Sequence, residues 1–136
     1  IHCNDKTGPY PGIIELLREL KKHNIKMGIA TNKVKSAADK LNEIYFEGLI
    51  DEVAGVEDGI IPKPDRCMID NLMKRLNATT DETLYVGDSQ VDVATARNTG
   101  LDMVAVLWGF RTRKELEKSG AMVFIDDPME ILDKVL

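Results

Sequence analysis

The chain has 136 residues, 43% of them hydrophobic and 30% charged, and 23 acidic side chains against 18 basic ones leave a net charge of −5. That is enough for one domain with a buried core, and the mildly acidic balance excludes the basic footprint that non-specific nucleic-acid binding needs. No apolar run approaches the ~18 residues of a membrane span, residues 1–6 lack the apolar core of a signal peptide, and two cysteines, Cys3 and Cys67, are too few for a disulfide scaffold and read as free thiols of a cytoplasmic protein.

Pro9-Tyr10-Pro11-Gly12 reads as a turn. Ile13, Leu16, Leu17 and Leu20 then recur at helical spacing, with Glu15, Arg18, Glu19, Lys21 and Lys22 on the other face. Acid early and base late suit the helix dipole, and the helix ends near His23-Asn24. Ile25 to Ala30 predicts a strand that stops at Thr31-Asn32-Lys33. Ser36 is the expected N-cap of a helix through about Ile44, with Ala37, Leu41 and Ile44 inward. Leu49 to Val56 is a weaker, broken strand region. Gly59 to Pro64 is expected to be extended, because each proline disfavours helix at the residue before it.

Asp65 can cap the next helix, which carries Met68, Ile69, Leu72, Met73 and Leu76. Thr83 to Val86 predicts a strand, Val91 to Asn98 a helix, and Gly100 its stop. Met103 to Leu107 follows as a strand, Glu115 to Lys118 as a short helix, and Met122 to Ile125 as a strand. Pro128 to Leu136 closes the chain as a helix with proline in its first turn. Met27, Met68, Met73, Met103 and Met122 fall at apolar-phase positions and are expected in the core, and His2 and His23 on the surface.

Helices alternating with short apolar strands argue for an α/β fold, a doubly wound parallel sheet with helices on both faces. Ligands of such sheets bind outside the carboxyl ends of the strands. Three places there carry polar groups. At Thr31-Asn32-Lys33, a hydroxyl and main-chain amides can hold a phosphate oxygen, or can simply satisfy the turn. Lys63 lies between Pro62 and Pro64, which stiffen the backbone around one cation that would neutralise a phosphate or an acidic nucleophile, or is simply a solvated lysine in an extended linker. Gly87-Asp88-Ser89-Gln90-Val91-Asp92 sets two carboxylates at a strand-to-helix turn. Asp88 can reach a Mg²⁺ ion at the sheet edge, and Asp92 can bind a metal water or orient its neighbours. Either carboxylate alone could equally be a helix cap or a dipole-favoured acid. Trp108 and Arg111, after the penultimate strand, could line a substrate pocket and hold a second anionic group.

Hydroxyl, lysine and paired aspartates in this order resemble the haloacid dehalogenase-like phosphatase superfamily: Thr31 is similar to its second motif, Lys63 to its third, Asp88 with Asp92 to its acidic fourth. Pro9 to Gly12, Ala30 to Lys33, Lys63-Pro64, Gly87-Asp88-Ser89 and Trp108-Gly109-Phe110 resemble its phosphoglycolate phosphatase branch. The resemblance implies a Rossmann-like core and a Mg²⁺-dependent phosphatase for a small phosphorylated metabolite, with 2-phosphoglycolate the best single expectation. An aspartate at the end of the first strand would attack phosphorus to form an aspartyl-phosphate. Thr31 and the Asn32 amide would hold the phosphoryl group, Lys63 would offset its charge, and Asp88, supported by Asp92, would bind the metal.

The family's Asp-x-Asp element is absent from these residues. Asp5-Lys6-Thr7-Gly8 looks like the phosphorylated element of cation-pumping ATPases, but only Ile1 to Asn4 precede it where a buried strand is required. Residues 1–136 are therefore expected to form a partial core domain, with 1–12 a linker from a cap domain, lacking the first central strand and the helical cap. Without that strand the chain alone is expected to be inactive. The absent strand could come from another chain, the two orphaned neighbours could pair directly, or the chain could be one piece of a longer protein, which is the preferred expectation. The alternatives are a sugar-phosphate phosphatase or phosphomutase of the same superfamily, and a non-catalytic phosphate- or Mg²⁺-binding regulatory or assembly module. Receiver domains share the residue types, but their acidic pair comes early and their lysine late.

Overall fold

A computed structural model describes residues 12–46, 48–107 and 112–135. Its elements run α1 (Ile13–Lys22), β1 (Gly28–Val34), α2 (Lys35–Tyr45), β2 (Glu52–Val56), α3 (Cys67–Leu76), a 3₁₀ turn (Thr80–Glu82), β3 (Leu84–Gly87), α4 (Gln90–Thr99), β4 (Asp102–Val106), α5 (Arg113–Ser119), β5 (Phe124–Ile125) and α6 (Glu130–Val135). Every strand pairing is parallel.

Strand alternation sorts the helices onto two faces. Ile29, Val53, Val104, Val106 and Ile125 point to one face, where they share a cluster with Leu16 and Leu17 of α1, Ala38 of α2 and Ile131 of α6. Ala30, Ala54, Tyr85 and Ala105 point to the other, against Met68 and Ile69 of α3, Val93 and Ala96 of α4 and Leu116 of α5. This is the predicted α/β arrangement of parallel strands covered by helices on both faces. The hydrogen bonding, however, divides the strands into a β1-β2 pair and a β3-β4-β5 sheet. Among the described residues, β1 and β3 are not joined by backbone pairing, so the direct pairing weighed above does not occur. The cluster that contains both Ile29 and Val104 holds the two parts together. Between them lies a cavity of about 420 Å³, whose walls include Leu16, Ala30, Leu72 and Val86.

Several boundaries differ from expectation. β1 starts at Gly28 rather than Ile25, because ladder pairing begins with Gly28 opposite Glu52, and it continues past Thr31 to Val34. From Ala30 to Val34, four steps of β1 advance against two of β2 from Ala54 to Val56, so Thr31-Asn32-Lys33 bulge out of the ladder. Bulges of this kind re-aim side chains beside functional sites. Ser36 lies inside α2, whose N-cap is Val34. Ile44 is 67% exposed. The inward direction of α2 runs through Ala38 and Asn42, and a residue two further on sits about 200° around the helix. Met122 is 89% exposed because β5 begins only at Phe124. Lys63-Pro64 is a cis peptide in a turn closed by Asp65 N–H to Pro62 O at 3.2 Å, not an extended run. α6 starts at Glu130, two residues after Pro128.

Gly55 lies on β2 beside the bulge. A Cβ there would fall 2.7 Å from Lys35 Cα and 2.9 Å from Lys33 O, both main-chain atoms that cannot swing aside. Gly55→Ala is expected to destabilise the fold by about 3 kcal/mol, the upper end for overpacking. A urea midpoint within error of the unsubstituted protein would contradict this reading.

Candidate functional site

The acidic turn is built by a glycine and a cap. β3 ends at Gly87, and a Cβ there would meet Asp92 Cβ at 2.4 Å, so only glycine lets the first turn of α4 fold back against the strand end. Ser89 is the α4 N-cap, its hydroxyl accepting from Asp92 N–H at 3.3 Å and donating to Asp92 Oδ2 at 3.1 Å. This arrangement buries Asp92 to 2% exposure.

Asp92 has four donors. Lys63 Nζ (2.9 Å) and the Tyr85 hydroxyl (2.7 Å) donate to Oδ1, and the Asp88 N–H (3.0 Å) and Ser89 hydroxyl to Oδ2. A carboxylate has about four lone-pair sites, so these partners saturate it. Burial opposes ionisation of Asp92, but the Lys63 ammonium, the Tyr85 hydroxyl and the Asp88 N–H together hold its carboxyl well below the usual carboxylate range. Burial, then the negative charge of Asp92, pushes the Tyr85 hydroxyl far above its usual range, so it remains a donor.

Lys63 is the cation of the site, with its side chain 5% exposed. Besides Asp92, its Nζ donates to Ala30 O at 3.1 Å and lies 3.3 Å from Tyr85 Oη. Its main chain is bonded on both sides by the Asn32 carboxamide, with Lys63 N–H to Oδ1 at 2.8 Å and Nδ2 to Lys63 O at 3.0 Å. Thr31 is buried, and its hydroxyl accepts from Lys33 N–H at 3.2 Å while keeping a proton to donate. Asp65, expected as a cap of α3, accepts from Cys67 N–H at 2.8 Å, although the N-cap position is Arg66.

Hydrogen bonds thus link the Asn32 bulge, Lys63 and the Asp88–Asp92 turn, with Thr31 next to Asn32 in the bulge. Trp108 and Arg111 lie outside the described residues, as do Cys3, His2 and Asp5. The structure adds Tyr85 and Asn98 to the residues expected here, and makes Ser89 of the Gly87-Asp88-Ser89 match the cap of α4. Alternation along β3 puts Tyr85 on the face opposite Leu84 and Val86, and a buried tyrosine hydroxyl needs a partner; that was the available signal.

For a divalent cation the donor set is uneven. No group of three or more His, Cys, Asp or Glu that could hold a metal occurs among the described residues. With four protein donors on its two oxygens, Asp92 is placed to orient Lys63 and Tyr85. Asp88, buried at the strand end, is the carboxylate that would hold a Mg²⁺ ion, a cation that needs only one or two carboxylates from a protein. No helix among the described residues is long and apolar enough to cross a membrane.

A sequence model of the haloacid dehalogenase-like hydrolases matches residues 1–106. The chain is 36% identical over 121 residues to a phosphoglycolate phosphatase of Rhodospirillum rubrum, covering 87% of this chain and 49% of that protein. It is 29% identical over 134 residues to a pyrophosphatase of Bacillus mycoides, covering 96% and 61%. The crystal structure of a candidate phosphoglycolate phosphatase from Lactobacillus delbrueckii superposes with a TM-score of 0.92 at 38% identity, covering 99% of this chain and 56% of that one. A candidate beta-phosphoglucomutase from Thermotoga maritima gives 0.78 at 25%, covering 93% and 61%. The chain spans about half the length of the curated relatives it matches.

Proposed function

The chain belongs to the haloacid dehalogenase-like hydrolase family, and from that membership we propose that it carries the phosphate- and metal-binding half of a Mg²⁺-dependent phosphomonoesterase acting on a small phosphorylated metabolite in the cytoplasm. The observation that carries the reading is the Lys63 ammonium pinned by Asp92 and Tyr85 between the Asn32 bulge and the Asp88 turn. The Thr31 hydroxyl and the Asn32 N–H hold the non-bridging oxygens of the phosphoryl group. Lys63 offsets the charge that collects on phosphate and nucleophile as the bond to the leaving group breaks, from a buried side chain whose surroundings screen that charge little. Asp92 keeps the ammonium aimed. Asp88 would hold the ion, which would supply Lewis-acid charge at the phosphoryl oxygens.

The attacking group in this reading is an aspartate on a strand laid between β1 and β3, which forms an aspartyl-phosphate. Among the described residues no strand joins β1 to β3, and that gap and the cavity between them support the placement. The strand is supplied by a segment of the same polypeptide or in trans, and the 136 residues alone are inactive. Trp108 and Arg111 are assigned to the substrate's non-reacting end, Arg111 to a carboxylate.

2-Phosphoglycolate is the proposed substrate, on the strength of the relatives' names. The likeness to a candidate beta-phosphoglucomutase favours the sugar-phosphate reading. The test compares kcat/KM for 2-phosphoglycolate, glucose phosphate and pyrophosphate in a longer polypeptide that includes the strand, with Mg²⁺ and with a chelator. 2-Phosphoglycolate is expected to lead, and the chelator to abolish turnover. Preference for glucose phosphate would move the assignment to the sugar-phosphate class, and no phosphate release from any of the three would sink the phosphatase reading.

A further inference from the structure

The tripeptide Pro62-Lys63-Pro64 is poor in anchors. Proline has no N–H, so Lys63 contributes the only main-chain donor of the three, beside three carbonyls. No ladder takes them up, since the segment lies between β2 and α3. Each of the four groups nevertheless has a partner. Lys63 N–H and Lys63 O both go to the Asn32 carboxamide, at 2.8 and 3.0 Å. Pro64 O accepts from Asn98 Nδ2 at 2.8 Å, and Pro62 O from Asp65 N–H at 3.2 Å. Two side-chain amides from distant elements, the β1 bulge and α4, therefore do what sheet pairing does elsewhere.

We infer that Asn32, with Asn98 in support, is a positioning residue for Lys63, its carboxamide locking the loop that carries the cation to the loop whose main chain faces the phosphoryl group. The inference rests on the role given to Lys63 above. Only a carboxamide can serve: it offers one acceptor and one donor side by side, matching the N–H and C=O of a single residue. Aspartate at this position would keep the bond from Lys63 N–H but set an oxygen against Lys63 O. Because the same residue contributes its own N–H to the phosphate loop, the distance between anion donor and cation is fixed within one residue pair. The Nζ contacts to Asp92, Tyr85 and Ala30 then hold the side chain, but the main-chain clamp determines where that side chain starts.

The test is acylation of lysines by acetic anhydride, followed residue by residue by mass spectrometry, in the longer polypeptide with and without Asn32→Ala. Lys63 is expected to be protected in the unsubstituted protein. Loss of both amide bonds is expected to raise its labelling rate about tenfold, as roughly one net hydrogen bond would. Lys26, whose Nζ rests on Leu76 O at 2.7 Å, serves as the internal control and is expected to stay within about twofold. kcat is expected to fall by about tenfold with KM nearly unchanged, because the N–H of residue 32 survives the substitution. Asn32→Asp, keeping one of the two bonds, falls between. Should Asn32→Ala fail to fold, Asn98→Ala replaces it, with a smaller rise at Lys63 expected. Unchanged Lys63 labelling, or raised labelling with unchanged kcat, overturns the inference. If the unsubstituted polypeptide proves inactive, the functional reading falls, and labelling alone then decides whether the clamp holds Lys63.

Discussion

Asp92→Ala is expected to cost about 3–5 kcal/mol of folding stability, the range for removing one partner of a buried ion pair. Lys63 and Asp92 are 5% and 2% exposed and 2.9 Å apart. Truncating the aspartate leaves a desolvated ammonium with only the Ala30 carbonyl and the Tyr85 oxygen, and leaves Tyr85, Ser89 and the Asp88 N–H without their acceptor. Urea unfolding checks it through a lowered midpoint at unchanged slope. Tyr85→Phe removes the donor to Asp92 and the oxygen 3.3 Å from Lys63 Nζ, and is expected to cost about 2 kcal/mol. The pair also sets a pH dependence. The folded-state pKa of Asp92 lies below its ordinary value of 3.8, so its contribution is fully present above that value and is lost as pH falls towards the folded pKa. The stability gap between the unsubstituted protein and Asp92→Asn is therefore expected to be constant above about pH 5 and to narrow below pH 4. A gap that widens on acidification would contradict the assignment.

Lys63→Met is expected to lower kcat by about 10²–10³ in the longer polypeptide, the usual size for removing one pre-set electrostatic partner of the transition state. Three oxygen acceptors, on Asp92, Ala30 and Tyr85, hold the ammonium in one orientation. Charge grows on the phosphoryl oxygens only as the bond breaks, so the loss should appear in kcat more than in KM. Initial rates are to be normalised to the folded fraction, because the substitution also leaves Asp92 unpaired. A kcat within threefold of the unsubstituted protein would remove Lys63 from the chemistry.

Much of this was legible in the sequence where local chemistry decides. The apolar spacing of Ile13, Leu16, Leu17 and Leu20 set α1, and Gly100 ended α4 in the left-handed conformation as a C-terminal glycine does. Thr31, Asp88 and Asp92 stand just after the expected strands, and Lys63 stands between two prolines. What stayed hidden depends on pairing between distant segments. The two extra residues of β1 opposite β2 are invisible without the register, and they move the strand end from Ala30 to Val34. Ile44 and Met122 fit an apolar phase, yet the inward faces pass through Ala38 and Asn42 in one case and begin at Phe124 in the other. Tyr85 read as one more apolar strand residue, and Asn98 as the tail of a helix, because their partners lie in other elements. The division of the strands into two hydrogen-bonded parts was suggested only by the resemblance, and not by the residues themselves.

The most direct measurement is Mg²⁺-dependent phosphate release from an aryl phosphate by these 136 residues and by the longer polypeptide that adds a strand between β1 and β3. The account predicts no turnover from the first and turnover from the second that Lys63→Met suppresses. Turnover by the 136 residues alone, or none by the longer polypeptide, would contradict it.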